Sequence, residues 1–219
     1  HGLDTAMITG AYSSEPRTMD RPKGSSYNAL FLINRNGHNV GQPYRKTELL
    51  AFGEYLPISE RFPILLKWLP FVANFGRGAG PSILTQDMST GPVKWGAQIC
   101  YEGLYPDFSR GLATKGADIL VNVTNDSWFG QTFEPHQHLY MTLARAIENR
   151  RPLLRSTNTG ISTAIYANGE IQQKSPLHRE WYGQFVIKFK SQAPTTFYTR
   201  YGALDTYFYL LFIVILLAT

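Results

Sequence analysis

Cysteine and charge are both scarce in this chain, and each scarcity narrows what it can be. One cysteine, Cys100, stands among 219 residues, so no internal disulfide can form and any thiol chemistry has a single address. Charged residues make up 17% of the chain, against 43% hydrophobic and 14% aromatic. That balance suits a large buried core, or a surface that meets lipid or another apolar partner. The formal net charge is only +5 and the basic residues are scattered. No block interleaves basic with aromatic side chains, which argues against nucleic acid as a partner; a mild basic excess does suit contact with anionic lipid. Repeats are absent, and no Gly-rich phosphate loop precedes a helix. The chain opens His1-Gly2-Leu3-Asp4 without a methionine or a signal peptide, and is read as part of something longer. Long apolar runs are missing until Tyr207, where an uncharged stretch runs to the end. It is shorter than the roughly 20 residues a membrane span requires. A cut-off transmembrane helix is the preferred expectation, a buried terminal strand or core helix the alternative.

What is there alternates between strand and helix patterns. Strands are expected at Ala6–Tyr12, Tyr27–Ile33, Val93–Ile99, Ala117–Thr124, Leu153–Gly160, Ile161–Tyr166 and Phe185–Phe189, with Val40–Tyr44 returning beside the second after an Asn36-Gly37 turn. Helices are expected at Tyr105–Lys115 and Glu134–Arg150, the latter stopped by Pro152. Ser13–Ser26 and Gly76–Gly91 read as loops. Ile58–Phe75, broken by Pro63 and Pro70, carries apolar residues on too many faces for one stripe. It is either a core helix or an amphipathic flap that touches membrane or acyl chain. The pattern indicates an α/β sandwich.

Cys100 lies where the apolar run Val93–Ile99 meets a polar turn. A lone cysteine is often a small buried hydrophobe, yet a thiol at a strand end is also well placed as a nucleophile. A working thiolate needs a nearby base or cation, and acyl transfer needs a donor for the developing oxyanion. Lys46, Glu54 and Glu102 stand at element ends and can supply such charges without a metal. The competing sets are weaker. His136 and His138 are two residues apart on a helix and do not face one another, so a zinc site with Cys100 is not expected. The residues around Cys100 lack the papain-type signature.

Several linked motifs resemble the apolipoprotein N-acyltransferases of the nitrilase superfamily. Lys46-Thr-Glu-Leu-Leu-Ala-Phe-Gly-Glu-Tyr-Leu-Pro57 is similar to their lysine motif, and Ile99-Cys100-Tyr101-Glu102 to their nucleophile motif. Asn125-Asp-Ser-Trp-Phe-Gly130, Pro135-x-Gln137-His138, Arg145-Ala-Ile-Glu148 and Arg151-Pro-Leu-Leu-Arg-Ser-Thr-Asn-Thr-Gly160 follow in the family's order. The resemblance runs from about Ile8 to the tail. It implies an αββα nitrilase-like catalytic domain over 1–190, a linker over 191–206 and the start of a transmembrane helix over 207–219. The domain would sit on the outer face of a bacterial cytoplasmic membrane. Cys100 would carry an acyl chain from a phospholipid as a thioester and pass it to the diacylglyceryl-cysteine of a lipoprotein. Lys46 would stabilise the oxyanion, Glu54 and Glu102 would position the lysine and the reacting amine, and Tyr101, Trp128 and Phe129 would bind substrate. No cofactor or metal is implied.

Two departures stand out. Ala51 replaces a proline common before Phe-Gly-Glu. More consequentially, the family's general base, a glutamate in a Trp-Pro-Glu type motif ahead of the lysine motif, has no counterpart: the acids before Lys46 are Asp4, Glu15 and Asp20. The base is expected upstream of His1, and the fragment alone is expected to be inactive. A soluble nitrilase-type amidase acting on a small C–N substrate shares the thiol and lysine and stays open as an alternative, as does a degenerate binding module.

Overall fold

A computed structural model of the chain describes residues 5–16, 25–59, 61–62, 64–69, 72–202 and 204–218. Two sheets form. In the first, β1 (Met7–Glu15) and β2 (Ser25–Ile33) pair antiparallel along their whole length, from Met7 opposite Ile33 to Glu15 opposite Ser25. The strand expected to stop at Tyr12 continues through Ser13–Glu15 because its end is anchored. Glu15 accepts from the Tyr27 hydroxyl and pairs with Arg45, whose guanidinium lies over the Tyr27 ring. The return strand is shorter than expected, with β3 (Tyr44–Arg45) pairing with Ala29 and Leu30. Residues 17–24 of the expected loop lie outside the described residues.

The second sheet has the order β4 (Ile83–Met88), β5 (Gly91–Ile99), β6 (Ile119–Thr124), β7 (Leu153–Thr157), β8 (Thr163–Ile165). β4 overturns the loop expected over Gly76–Gly91: it folds back on β5 across a tight turn, and Trp95 Nε1 donates to Gln86 Oε1 at 3.0 Å. β5, β6 and β7 run parallel, so each needs a crossover. α2 (Pro106–Thr114) and α3 (Glu134–Asn149) supply them. Buried on both faces, β6 reads Ile-Leu-Val-Asn-Val-Thr, a nearly continuous apolar run.

The sheets pack face to face, β2 against β5 and β1 against β6, over a core that includes Leu30, Leu32, Ala97, Ile99, Leu120 and Leu153. Among the described residues, the extensive helix packing falls on the larger sheet, from α2 and α3. The second helical layer of an αββα sandwich is not seen among them.

Two further expectations are corrected. Phe185–Phe189 forms no strand; beyond β8 the chain turns at Asn168-Gly169, and Glu170 to Gln172 already take that edge. Ile58–Phe75 is not a core helix. Among its described residues only α1 (Leu65–Trp68) is helical, and Ile58, Phe62, Ile64 and Trp68 are exposed. Pro63, Pro70 and Phe71 lie outside the described residues. The linker is more structured than expected: Arg151 takes the carbonyls of Ala117, Ala193 and Pro194, and Thr196 caps α4 (Phe197–Tyr201). α5 (Leu204–Ala218) is apolar and exposed over Tyr207–Leu217. Its 15 residues reach about 22 Å, and among the described residues no helix is long and apolar enough to cross a membrane.

Candidate active site

β5 ends at Ile99 and the chain turns at once into a 3-10 turn, Cys100–Leu104. The turn puts Cys100 at φ 54°, a left-handed conformation that costs a non-glycine residue on the order of 1 kcal/mol. Three contacts hold it there. Glu102 Oε2 accepts from the Ile99 N–H at 2.7 Å, Asn122 Nδ2 donates to the Cys100 carbonyl at 2.9 Å, and Gly103 lets the turn press against Asn122 and Thr142. The thiol is thereby presented at the sheet's carboxyl edge, half-buried.

Lys46 follows β3 and is 1% exposed. Its Nζ lies 2.6 Å from Glu54 Oε2, and that carboxylate also accepts from the Leu50 N–H and from Asn28 Nδ2. A buried ammonium is tolerable only when paired in this way. Burial pushes the Cys100 thiol above its ordinary range, and the Lys46 charge with the Thr124 hydroxyl pulls it back. Lys46 is therefore the cation nearest in effect to the sulfur, and a negative charge developing on a substrate beside the thiol would meet it.

Glu102, expected to help position the lysine and the reacting amine, lies behind the cavity. It is fully buried and spends its oxygens on the chain that carries Lys46: Oε1 accepts from the Tyr44 hydroxyl at 2.5 Å and from the N–H groups of Thr47 and Glu48 at 2.7 and 3.0 Å. Burial raises its carboxyl while these donors oppose the rise. No face is left for an incoming amine, so the carboxylate that stands beside the cysteine in sequence works as a clamp between two loops.

A cavity of about 670 Å³ contains Cys100, Lys46 and Glu54, with Trp128, Phe129 and Phe75 on its wall. Tyr101 is not among its lining residues. Its ring packs against Phe129 and His138, and its hydroxyl donates to Glu134 Oε1; burial pushes the phenol up. Of the seven residues expected at the site, five thus share one cavity, while Tyr101 and Glu102 lie behind it. Leu50 and Trp128, on the wall, and Phe52 beside it in the chain are exposed to solvent. A second cavity, about 490 Å³ between the sheets, contains neither Cys100 nor Lys46.

Sequence reasoning missed a buried polar network behind the thiol. Arg155 Nη1 donates to Asn122 Oδ1 at 2.6 Å and Nη2 to Asp126 Oδ2 at 3.0 Å. Asp126 Oδ1 also meets His138 Nδ1 and the Thr124 hydroxyl. Burial alone would raise the Asp126 carboxyl; the His138 contact and the Arg155 charge outweigh it and hold the group low. The available signal was Asn122 inside the nearly apolar β6 and a charged Arg155 directly after the apolar pair Leu153-Leu154 of β7. Among the described residues Asp126, Glu134 and His138 could hold a metal, with ligand atoms within 4.8 Å of one another. Arg155 already neutralises Asp126 at full burial, which favours an ion-paired network over a cation site.

Known proteins can now be set beside this geometry. The family model described as carbon-nitrogen hydrolase matches residues 3–184. A protein of Bdellovibrio bacteriovorus named apolipoprotein N-acyltransferase is 68% identical over 203 residues, 93% of this chain and 37% of that protein. A protein of the same name from Geobacter metallireducens is 35% identical over 200 residues, 91% of this chain and 36% of its own. An amidase structure from Nesterenkonia sp. AN1 superposes with a TM-score of 0.53 at 19% identity, covering 78% of this chain and 59% of that one. It shares the nitrilase-like α/β fold. The chain spans little more than a third of the length of these two curated relatives.

Proposed function

The chain belongs to the carbon-nitrogen hydrolase family, and on that footing we propose that it is the catalytic portion of an N-acyltransferase that moves a fatty acyl chain from a phospholipid to the N-terminal diacylglyceryl-cysteine of a lipoprotein. The Cys100 thiolate attacks the ester carbonyl, and the oxyanion of the tetrahedral intermediate faces Lys46. Collapse expels the lysophospholipid alkoxide, which takes up a proton, and leaves a thioester. The lipoprotein amine then attacks that thioester, loses its proton and releases the thiolate. Splitting one transfer in two lowers each barrier, and a fixed cation where charge develops lowers both. Glu54 holds Lys46 in place, and Glu102 holds the loop that carries it. Among the described residues Glu54 is the one carboxylate lining the cavity, and it is engaged by Lys46, Leu50 and Asn28. The proton acceptor is therefore proposed to be a group other than Glu54.

The observation that carries this reading is the single cavity joining a strained Cys100 to a buried Lys46–Glu54 pair under an exposed apolar rim. A small polar amide needs no such rim. An acyl chain does, and the names of the two curated relatives point the same way. Trp128 and Phe129 contact the acyl chain in this proposal. α5 begins a helix that enters the membrane, and the domain lies on its outer face.

The test is a chimera in which this chain replaces the matching third of the Bdellovibrio protein, supplied with phospholipid vesicles and a diacylated lipopeptide. Acylation of the lipopeptide amine that disappears in Cys100→Ala supports the proposal. Hydrolysis of small amides without acyl transfer would establish the amidase reading instead. The isolated chain is expected to transfer nothing.

A further inference from the structure

The buried Arg155 network has no part in the mechanism above, yet it touches the nucleophile's elbow on two sides. On one side, Asn122 Nδ2 holds the Cys100 carbonyl at 2.9 Å while its Oδ1 accepts from Arg155 Nη1 at 2.6 Å. On the other, Arg155 Nη2 pairs with Asp126 Oδ2 at 3.0 Å, and Asp126 Oδ1 accepts from the hydroxyl of Thr124, which lines the same cavity as Cys100. We propose that Arg155 is a positioning residue for the nucleophile: its guanidinium ties the carbonyl side of the Cys100 turn, through Asn122, to its thiol side, through Asp126 and Thr124.

The chemistry favours arginine for this task. A planar fork engages two acceptors in fixed directions, and lysine cannot. The connection also has an electrostatic side. Asp126 opposes ionisation of the thiol, and the Arg155 cation counters it. Unpaired, Asp126 would disfavour the thiolate that the reaction requires. A buried ion pair of this kind often contributes little net stability. Its linkage to the strained turn gives it a specific task, because the positive φ at Cys100 persists only where surrounding contacts over-determine it.

The inference rests on Cys100 being the nucleophile, and its test reads the thiol directly, without acyl transfer. The rate of Cys100 alkylation by iodoacetamide is followed against pH in the full 219-residue chain held in detergent. The groups that bear on the thiol's titration are Lys46 and Glu54 from the loop after β3, Tyr101 beside it, Thr124 and Asp126 at the end of β6, Arg155 on β7, and Glu134 and His138 on α3. In Arg155→Met the midpoint is expected to rise by about one pH unit, slowing alkylation roughly tenfold at any pH below it. Arg155→Lys, which keeps the charge and one arm, is expected to fall between Met and parent. Adding Asp126→Asn to Arg155→Met is expected to return the midpoint toward the parent value. A merely structural role would lower the melting temperature of Arg155→Met and leave the midpoint unmoved, and that result overturns the proposal. If Arg155→Met does not fold, Arg155→Lys decides, since it keeps the buried charge but not the two-armed fork. An upward shift upholds the link, and an unmoved midpoint overturns it. A failed shift speaks against the network alone, whereas a Cys100 that alkylates normally but never carries an acyl group speaks against the proposed function.

Discussion

Replacing Glu102 by glutamine alters one atom and exchanges a negative charge for a neutral amide, and the structure says where that change is felt. The carboxylate accepts four hydrogen bonds, three on Oε1 and one on Oε2. A glutamine whose oxygen occupies the Oε1 site presents its NH₂ to the Ile99 N–H, so one bond is lost and one buried donor is stranded, at about 1–3 kcal/mol. The three remaining bonds lose their charge assistance, at about 1 kcal/mol each. Against this stands relief from burying a charge, which the raised carboxyl of Glu102 attests. The net cost is about 2–4 kcal/mol, or roughly 10 °C in melting temperature for a domain of this size. Because two of the weakened partners, Thr47 and Glu48, directly follow Lys46, the damage should reach the thiol as well. Thermal unfolding by circular dichroism and Cys100 alkylation are measured on the same sample. A variant that melts within a degree or two of the parent and alkylates at the parent rate would refute the clamp.

Lys46→Met removes the charge that offsets burial of the thiol, so the alkylation midpoint of Cys100 should move up, with the largest loss of rate at neutral pH and below. Asp126→Asn breaks a buried pair and should cost about 3 kcal/mol near neutral pH. The folded carboxyl is held low, so its contribution is present above about pH 4, where the unfolded group ionises, and fades below. Urea titrations of the two proteins should therefore converge as the pH falls. Gly160→Ala would drive a Cβ into Asp126 Oδ2, and chemical denaturation should find it destabilised by about 1–3 kcal/mol. At position 100 the usual order of glycine and alanine should invert: Cys100→Gly should be more stable than Cys100→Ala by about 1 kcal/mol, because φ is 54° there and only glycine adopts it freely.

The proposed catalytic constellation was legible where its members follow one another along the chain. Lys46 and Glu54 lie in one continuous motif, and the structure pairs them across a single loop. Glu102 was legible as a residue that supports the lysine, but the contacts through which it does so were not. Its partners are the N–H groups of Thr47 and Glu48, more than fifty positions away and indistinguishable in sequence from any other backbone. Arg155 and Asp126 stand in recognisable motifs yet were assigned no role, because their significance comes from parallel pairing of β6 with β7. That register sets Asn122 opposite Arg155. The same kind of non-local fact decided the strands. β4 looked like a Gly- and Pro-rich loop until β5 offered it a hairpin partner, and Phe185–Phe189 had the alternation of a strand, but Glu170 to Gln172 take the edge beside β8. Ile58–Phe75 resisted assignment for a physical reason too: Ile58, Phe62, Ile64 and Trp68 are exposed while Val72 is buried, a mix that no single periodicity describes.

The central claim is that Cys100 carries the acyl group. It is tested most directly by incubating the chimera with phospholipid in the absence of acceptor and determining the mass of the peptide that contains Cys100. An increment of one fatty acyl chain, removed by hydroxylamine and lost on addition of the diacylated lipopeptide, is the predicted result. An unmodified Cys100 in a chimera that still acylates the lipopeptide would contradict the account.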